Sequence, residues 1–282
     1  QEAIDLLQKK IIITPVINKT VLEYPSYEIR DTLYYYLKEY TYDFKDVKGQ
    51  ENAKRAALIA AAGYHNIVFE GSPGCGKSMI ANRLRFILPP MNMQDILESA
   101  KLDALETKEP EFKPQRNIRS PHHSSTLASI FGGGSHNARI GEVGLAHKGV
   151  LFFDELPHFS KNVLEALREP MQDNKIRISR VHSKVEYPAD FLFIGAMNPC
   201  PCGNLLNKNK ECRCSDIEIK RYKNRLSDPF LDRIDMSIVM QSVSQDDTSS
   251  YTSKELHKMV VESHIFSKKR GQEVFNAKLD DF

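Results

Sequence analysis

The fold of this chain is decided by Gly71-Ser72-Pro73-Gly74-Cys75-Gly76-Lys77-Ser78, which fills every fixed position of the pattern G-x-x-x-x-G-K-[ST]. A predicted buried strand at residues 66–70 precedes this segment, and a helical pattern at residues 79–88 follows it. A strand, a glycine-rich loop and a helix in this order are the context that the pattern requires. The sequence therefore predicts a phosphate-binding loop, and a glycine-rich turn that matches by chance is the alternative.

The residue types of this loop suit ATP. Glycines let backbone N–H groups point at phosphate oxygens, and the N-terminus of the following helix adds partial positive charge. Lys77 is expected to reach the β- and γ-phosphates, while the Ser78 hydroxyl coordinates Mg²⁺. Cys75 is interpreted as a small side chain within the loop. The predicted ATP-binding residues of the loop are Gly71, Ser72, Pro73, Gly74, Cys75, Gly76, Lys77 and Ser78.

Two further apolar runs indicate the rest of the architecture. They occupy residues 150–153 and 191–196, and a helical pattern at 163–167 lies between them. Continuous apolar runs are typical of parallel strands that are covered on both faces. The sequence therefore predicts an α/β fold in which a doubly wound parallel sheet is flanked by helices.

Two acids directly follow the run at 150–153. A buried strand would deliver Asp154 and Glu155 to the sheet edge where the phosphates lie. Asp154 is expected to hold Mg²⁺, and Glu155 to polarise the attacking water as general base. An Asp-Glu pair at a strand end is common by chance, but together with the phosphate loop it indicates ATP hydrolysis rather than binding alone.

Composition sets limits on the class of protein. The chain has 282 residues, of which 41% are hydrophobic, so it can bury one substantial core and a smaller attached domain. The formal net charge is only +2, so any surface for nucleic acid must be local. The sequence contains neither a long apolar span nor a signal-peptide pattern, which favours a soluble cytoplasmic protein without a membrane partner. Gly132-Gly133-Gly134 predicts a flexible loop inside a polar insertion at about residues 117–148, and residues 50–62 are predicted to be a helix stopped by Gly63.

Four of the five cysteines are clustered as Cys200-x-Cys202 and Cys212-x-Cys214. Four thiolates can form a tetrahedral zinc site, and a polar loop without a core of its own gains stability from a structural metal. The C-x-C spacing is shorter than the usual C-x-x-C. Free thiols and disulfides remain the alternatives, of which disulfides suit a reducing compartment less well.

A basic segment with alternating apolar residues predicts a β-hairpin. No acid occurs between its first and last cation, and such a charge run binds the phosphates of nucleic acid or is simply a solvated hairpin. The candidate DNA-binding residues are Lys175, Arg177, Arg180 and Lys184, with His182 among them.

Several longer strings resemble one family, the magnesium-chelatase-like AAA+ ATPases of the bacterial ComM/YifB type. The resemblance covers roughly residues 41–282. It implies a hexameric, ATP-driven helicase that promotes branch migration of single-stranded or branched DNA during natural transformation. The strings are YDFKDVKGQ at 42–50, RSPHH at 119–123, GLAHKGVLFFDEL at 144–156 and NPCPCG at 198–203.

The resemblance assigns further roles by position. Asn198 matches the sensor that shares the attacking water with the general base, although an asparagine in a turn before Pro199 is the plainer interpretation. Arg233 matches the arginine finger that acts on a neighbouring subunit, unless it only pairs with a nearby aspartate. Arg225 is a weaker candidate for the same interface. The hairpin would face a central pore, as would the loop that carries His122-His123, for which no metal site is expected.

The same resemblance divides the chain. Residues 1–40 are expected to be the tail of an N-terminal, Lon-protease-like domain, 41–241 the AAA+ core, and 242–282 the start of a truncated helical lid. Two other functions remain open: a magnesium-chelatase motor subunit, and an assembly factor that nucleotide controls without processive motion. The cysteine cluster and the string SPHH favour the DNA motor.

Overall fold

The computed structural model describes residues 22–107, 110–133, 139–179, 184–207, 210–244 and 247–279. Arg180 and His182 lie outside these ranges, and of Lys184 only the backbone is described. Among the described residues, no helix combines the length and apolarity needed to cross a bilayer.

The elements follow one another in an alternating order. The strands are β1 (Ser26–Ile29), β2 (Thr32–Tyr35), β3 (Ile67–Gly71), β4 (Met91–Asn92), β5 (Ile118–Arg119), β6 (Gly132–Gly133), β7 (Arg139–Ile140), β8 (Val150–Phe153), β9 (Lys175–Ser179), β10 (Lys184–Pro188), β11 (Leu192–Met197) and β12 (Met236–Met240). The helices are α1 (Glu51–Gly63), α2 (Lys77–Leu84), α3 (Met93–Asp103), α4 (Leu127–Phe131), α5 (Glu142–Leu145), α6 (Lys161–Ala166), α7 (Arg168–Asp173), α8 (Asp216–Lys223), α9 (Asp228–Leu231) and α10 (Ser253–Lys269).

A five-stranded sheet forms the centre, in the order β12-β3-β11-β8-β5, and each neighbouring pair is parallel. Every residue of β8 and β11 is buried, as their unbroken apolar sequences predict. Successive side chains point to opposite faces, so Phe152 packs on one side with α1, α2 and α10, while Leu151 and Phe153 pack on the other with α5 and α6. The prediction of an α/β P-loop fold is confirmed.

The end of α1 differs from the prediction. Gly63 was expected to stop the helix, but it is the last helical residue, and Tyr64 takes the left-handed conformation at φ 62°. The Tyr64 ring stacks on Phe275 with centroids 4.8 Å apart, and its hydroxyl donates to the Gly149 carbonyl at 3.1 Å. Glycine at position 63 instead avoids a steric clash, because a Cβ there would lie 2.4 Å from the His65 ring. Distant packing therefore outweighs the usual preference for glycine at this position.

The polar insertion at 117–148 contains regular structure on both sides of its glycines. Its described part contains α4, the antiparallel pair β6 and β7, and α5. Ile130 and Val143 are fully buried, so the stretch contributes to the hydrophobic core on the sheet face that also holds Leu151 and Phe153. Its apolar residues are few and widely spaced, so the sequence pattern alone did not indicate these elements.

A small antiparallel sheet connects the beginning of the described chain with its last helix. Strands β1 and β2 form a hairpin, and β2 also pairs with β4. The Tyr27 hydroxyl lies 2.6 Å from Nδ1 of His264, and the Tyr40 hydroxyl 2.9 Å from Nδ1 of His257, both on α10. Burial lowers the pKa of His257 to about 4, so this imidazole is neutral near pH 7. The hairpin and the residues after it are thus attached to α10.

Candidate nucleotide site

The phosphate loop begins where β3 ends and continues into α2. Gly74 and Gly76 have φ values of +79° and +98°, which other residues adopt only with strain. At Gly71 a Cβ would lie 2.7 Å from Cys75 Sγ and 2.9 Å from the Met240 carbonyl oxygen. These glycines therefore shape the loop, and the buried Cys75 is a packing residue, as the sequence suggested.

Lys77 connects the loop to the central strand β11. Its Nζ donates to the carbonyl oxygens of Gly71 at 2.6 Å and Ser72 at 3.1 Å, and to Oδ1 of Asn198 at 3.1 Å. Only 8% of the residue is exposed, and this burial lowers its pKa. The amine is thus held beside the loop at the carboxyl edge of the sheet.

Ser78 and Asp154 form the oxygen pair that a hard divalent cation requires. Oγ of Ser78 donates to Oδ2 of Asp154 at 2.7 Å, and the backbone N–H of Glu155 donates to Oδ1 at 2.9 Å. In the loop itself, Oγ of Ser72 is buried and has no hydrogen-bond partner among the described residues. A hydroxyl, a carboxylate and a fixed ammonium group converge here, so the residues fit Mg-ATP.

Glu155 has an unusual conformation for its residue type. Its φ is +53°, and half of its side chain is exposed. One carboxylate oxygen, Oε2, lies 3.4 Å from Nε2 of His123 and 3.5 Å from Nδ1 of His158. Sequence reasoning considered His122 and His123 without finding further ligands with suitable spacing, and it missed His158, which follows Glu155 by three positions.

These groups line one cleft at the carboxyl edge of the sheet. The cleft has a volume of about 470 Å³ and includes Lys77, Ser78, Asp154, Glu155 and Asn198. Its opposite wall is the segment 120–123. The loop, both acids and Asn198 are therefore brought together as predicted, and Asn198 lies directly after β11.

Arg233 lies at the other end of the same strands. It precedes β12, whose first residue Met236 pairs with Ile67 at the start of β3, whereas the phosphate loop follows the end of β3. Four residue steps at ~3.3 Å put the two edges about 13 Å apart. The Arg233 guanidinium donates to Oε1 of Gln172 at 2.7 Å and makes no ion pair within the described residues. Arg225 donates to the Pro157 carbonyl at 3.0 Å.

Gln50 is a structural residue of the site that the sequence did not reveal. Its side-chain amide donates to the carbonyl of Cys75 at 2.9 Å and to that of Gln241 at 2.6 Å. It therefore ties the phosphate loop to the end of β12. The sequence signal for Gln50 was its place at the end of the string 42–50. In the structure its backbone has a φ of +58°.

The four clustered cysteines converge, although they lie on two separate C-x-C segments. Sγ of Cys200 is 3.4 Å from that of Cys202 and 3.7 Å from that of Cys212, and all four sulfur atoms lie within 4.8 Å of one another. Four thiolates around zinc, at ~2.3 Å each, would be about 3.8 Å apart. Backbone N–H groups lower the pKa of Cys202 to about 6, whereas the neighbouring cysteines raise the pKa values of Cys212 and Cys214, so a negative charge lies first on Cys202. All five cysteines of the chain are described, and none forms a disulfide.

The cysteine loop touches the phosphate loop. Gly203 has a φ of +77°, and a Cβ on it would lie 2.6 Å from Cδ of Pro73. Cys200 follows the predicted sensor Asn198 by two residues. The position of the cysteine loop is thus coupled to both sides of the cleft.

The basic segment forms the predicted hairpin of β9 and β10, but its charge is partly neutralised. Glu186 lies directly across from Arg177 and pairs with its Nε at 3.2 Å and with Lys175 at 2.9 Å. Glu169 of α7 lies 3.5 Å from the same guanidinium. The basic run itself contains no acid, as its sequence states, but Glu186 stands on the partner strand just beyond it.

Sequence similarity to known proteins shows the family of this chain. The family model described as magnesium chelatase, subunit ChlI, matches residues 43–248. The protein YifB of Salmonella typhimurium is 43% identical over 85% of this chain and 48% of its own length. The competence protein ComM of Haemophilus influenzae is 46% identical over 73% of this chain and 40% of its own length.

A more distant relative is the magnesium-chelatase 67 kDa subunit of Chlorobaculum parvum, 27% identical over 55% of this chain and 23% of its own length. The chain thus spans half or less of the curated relatives named here. The family model covers well over half of the chain. The chain therefore belongs to the magnesium-chelatase-like family of AAA+ ATPases, together with the YifB and ComM proteins.

Proposed function

We propose that this chain is the ATPase core of an oligomeric DNA motor, a helicase that promotes branch migration as incoming DNA is integrated. The ATPase part is supported by two hydrogen-bonded pairs that lie in one cleft, Lys77 with Asn198 and Ser78 with Asp154. The DNA part is supported by the basic hairpin and by the 46% identity to a protein named for competence.

Each residue of the cleft has a defined task in this proposal. Bound ATP supplies the γ-phosphate, and bound Mg²⁺ neutralises charge on the β- and γ-oxygens. Lys77 binds the phosphates, while Ser78 and Asp154 hold the cation. Glu155 accepts a proton from the attacking water, and Asn198 orients that water through its amide.

A neighbouring subunit completes the site. Arg233 lies at the sheet edge opposite the phosphate loop, so it is poorly placed for the cleft of its own chain but available to another one. An arginine that acts on a neighbour requires an oligomer, and a hexameric ring is the proposed arrangement. Residues 41–241 are proposed as the core, 242–282 as the start of the lid, and 1–40 as the end of a preceding domain.

The β9–β10 hairpin is the proposed DNA contact. The side chains of Lys175, Arg177 and Glu186 are 50%, 60% and 46% exposed, and exposed ion pairs contribute little stability. The cations can therefore exchange Glu186 for DNA phosphates. Such contacts are independent of sequence and weaken with salt.

A chelatase motor is the second candidate, because the 67 kDa chelatase subunit shares 27% identity with this chain. The higher identity to YifB and ComM favours the DNA motor. The two functions differ in their dependence on DNA, which makes them experimentally separable.

The ATPase rate of the full-length protein is expected to rise with single-stranded and forked DNA, and the rise should shrink as salt increases. Arg177→Ala should reduce this stimulation because it removes a phosphate contact. Glu186→Gln should increase it, because it removes one ion pair from each of two cations. Phosphate release at several salt concentrations is the measurement.

Lys258→Ala is the matched control, since it removes an exposed charge from α10, far along the chain from the hairpin. It should leave the stimulation unchanged. A wild-type rate that ignores DNA at every salt concentration would favour the chelatase or the assembly factor, in which ATP only ties subunits together.

We also propose that the four-cysteine cluster holds a structural zinc ion. Protein purified under reducing conditions should contain one zinc per chain, and the double variant Cys212→Ser, Cys214→Ser should contain much less. Cys75→Ala, which alters the remaining cysteine, should keep the metal. Elemental analysis decides this prediction, and zinc-free wild-type protein would refute it.

A further inference from the structure

A second group of metal-ligating atoms surrounds the predicted general base. We name it the His-Glu-His cluster, and it consists of His123, Glu155 and His158. The two imidazole nitrogens approach the same carboxylate oxygen at 3.4 and 3.5 Å, and all three ligand atoms lie within 4.8 Å of one another.

The cluster is positioned by the sheet and by neighbouring rings. His123 follows β5, and its ring lies against that of His122 with centroids 4.1 Å apart and planes tilted by 35°. His158 belongs to the short turn after β8 and meets the Tyr222 ring edge-on at 6.2 Å. The rings of His123 and His158 also meet edge-on at 5.7 Å. Both imidazoles are therefore held beside Glu155 by contacts other than those with its carboxylate.

The distances suit a shared metal ion better than direct hydrogen bonds. An N–H···O hydrogen bond spans about 2.7–3.2 Å, which is shorter than either contact. Ligands at ~2.0–2.1 Å in a tetrahedron around zinc are about 3.4 Å apart, which is close to both. The side chains of His123, Glu155 and His158 are 33%, 51% and 43% exposed, so water can reach a fourth position.

The ligand atoms of this cluster also differ in kind from those of the Ser78–Asp154 pair and of the cysteine cluster. Two imidazoles and a carboxylate suit Zn²⁺ and similar transition ions, whereas Mg²⁺ prefers oxygen ligands such as those of Ser78 and Asp154. The cysteine cluster has softer thiolate donors, so it takes the first equivalent of zinc. A second equivalent is then available to the His-Glu-His cluster.

We propose that the His-Glu-His cluster binds a divalent transition ion of the Zn²⁺ class and that this binding inhibits ATP hydrolysis. The inhibition rests on the proposed role of Glu155, because a carboxylate that coordinates a metal cannot accept a proton from water. Binding itself does not depend on that role. Zinc above the first equivalent thus acts as a reversible inhibitor.

Cobalt titration of the full-length protein tests the binding directly. With the cysteine cluster already filled by zinc, added Co²⁺ should give visible d–d absorption without thiolate-to-cobalt charge transfer. His158→Phe keeps an aromatic ring against Tyr222 and removes one ligand, so it should weaken cobalt binding at least ~10-fold. His122→Phe, which alters the neighbouring histidine outside the cluster, should bind as the wild type does.

Absence of this absorption in the wild type, or equal binding by His158→Phe, would overturn the site. The inhibition is tested separately by adding Zn²⁺ beyond the first equivalent at saturating Mg-ATP. The wild-type rate should fall, and the His158→Phe rate should resist the same concentration. Cobalt binding without zinc inhibition would overturn the inhibitory role alone. If Glu155→Gln hydrolyses ATP normally, the proposed general base fails while the metal site stands.

Discussion

Glu155→Gln is expected to bind ATP and to hydrolyse it about 10²–10⁴-fold more slowly than the wild type, the range typical for a general base. The amide keeps the size of the side chain but cannot accept a proton from the attacking water. Lys77, Ser78 and Asp154 are untouched, so nucleotide affinity should persist. Binding of a fluorescent ATP analogue and the rate of phosphate release measure the two properties.

A surface variant of the same kind controls for the loss of charge. Glu262→Gln alters an exposed residue of α10 whose ion pair with Lys258 spans 3.9 Å, and its turnover should remain normal. Normal turnover in Glu155→Gln would remove Glu155 from its proposed role. Loss of ATP binding in the same variant would instead indicate that Glu155 helps to hold the nucleotide.

Arg233→Ala is expected to lower the ATPase rate about 10³-fold or more, as loss of an arginine finger does elsewhere. ATP binding should survive, because the residue lies at the opposite sheet edge from its own phosphate loop. Arg55→Ala is the matched control, since Arg55 is an exposed arginine of α1. Its rate should remain that of the wild type.

Mixing two inactive variants tests whether the site is shared. In an equal mixture of Arg233→Ala and Glu155→Gln subunits, random assembly gives about one quarter of the interfaces an intact pair. Some activity should therefore return at ratios near equality. If no ratio restores activity, Arg233 does not act on a neighbouring subunit.

The sheet and the phosphate loop were predictable from the sequence because local pattern and burial agree. The runs at 150–153 and 191–196 have no polar residue to expose, and the structure buries both strands, with the second one shifted by a single residue. The loop glycines are required by backbone conformation and close packing within a few residues. Such local requirements are visible in one sequence.

The His-Glu-His cluster was not predictable because strand register creates it. β5 pairs with β8 so that Arg119 lies opposite Leu151, and His123 and Glu155 each follow by four residues. Register also brings Glu186 across from Arg177. Neither pairing can be inferred from spacing along the chain. The same holds for Tyr64, whose ring packs on a residue far along the chain.

The β1–β2 hairpin has a mechanical consequence for any cycle of nucleotide binding and release. Tyr27 and the later Tyr40 attach this part of the chain to α10, while backbone pairing of β2 attaches it to Met91 and Asn92 at the start of α3. The hairpin therefore links α10 to the core. A rotation of α10 must either break the tyrosine–histidine hydrogen bonds or pull on the start of α3, so the hairpin transmits movement from one helix to the other.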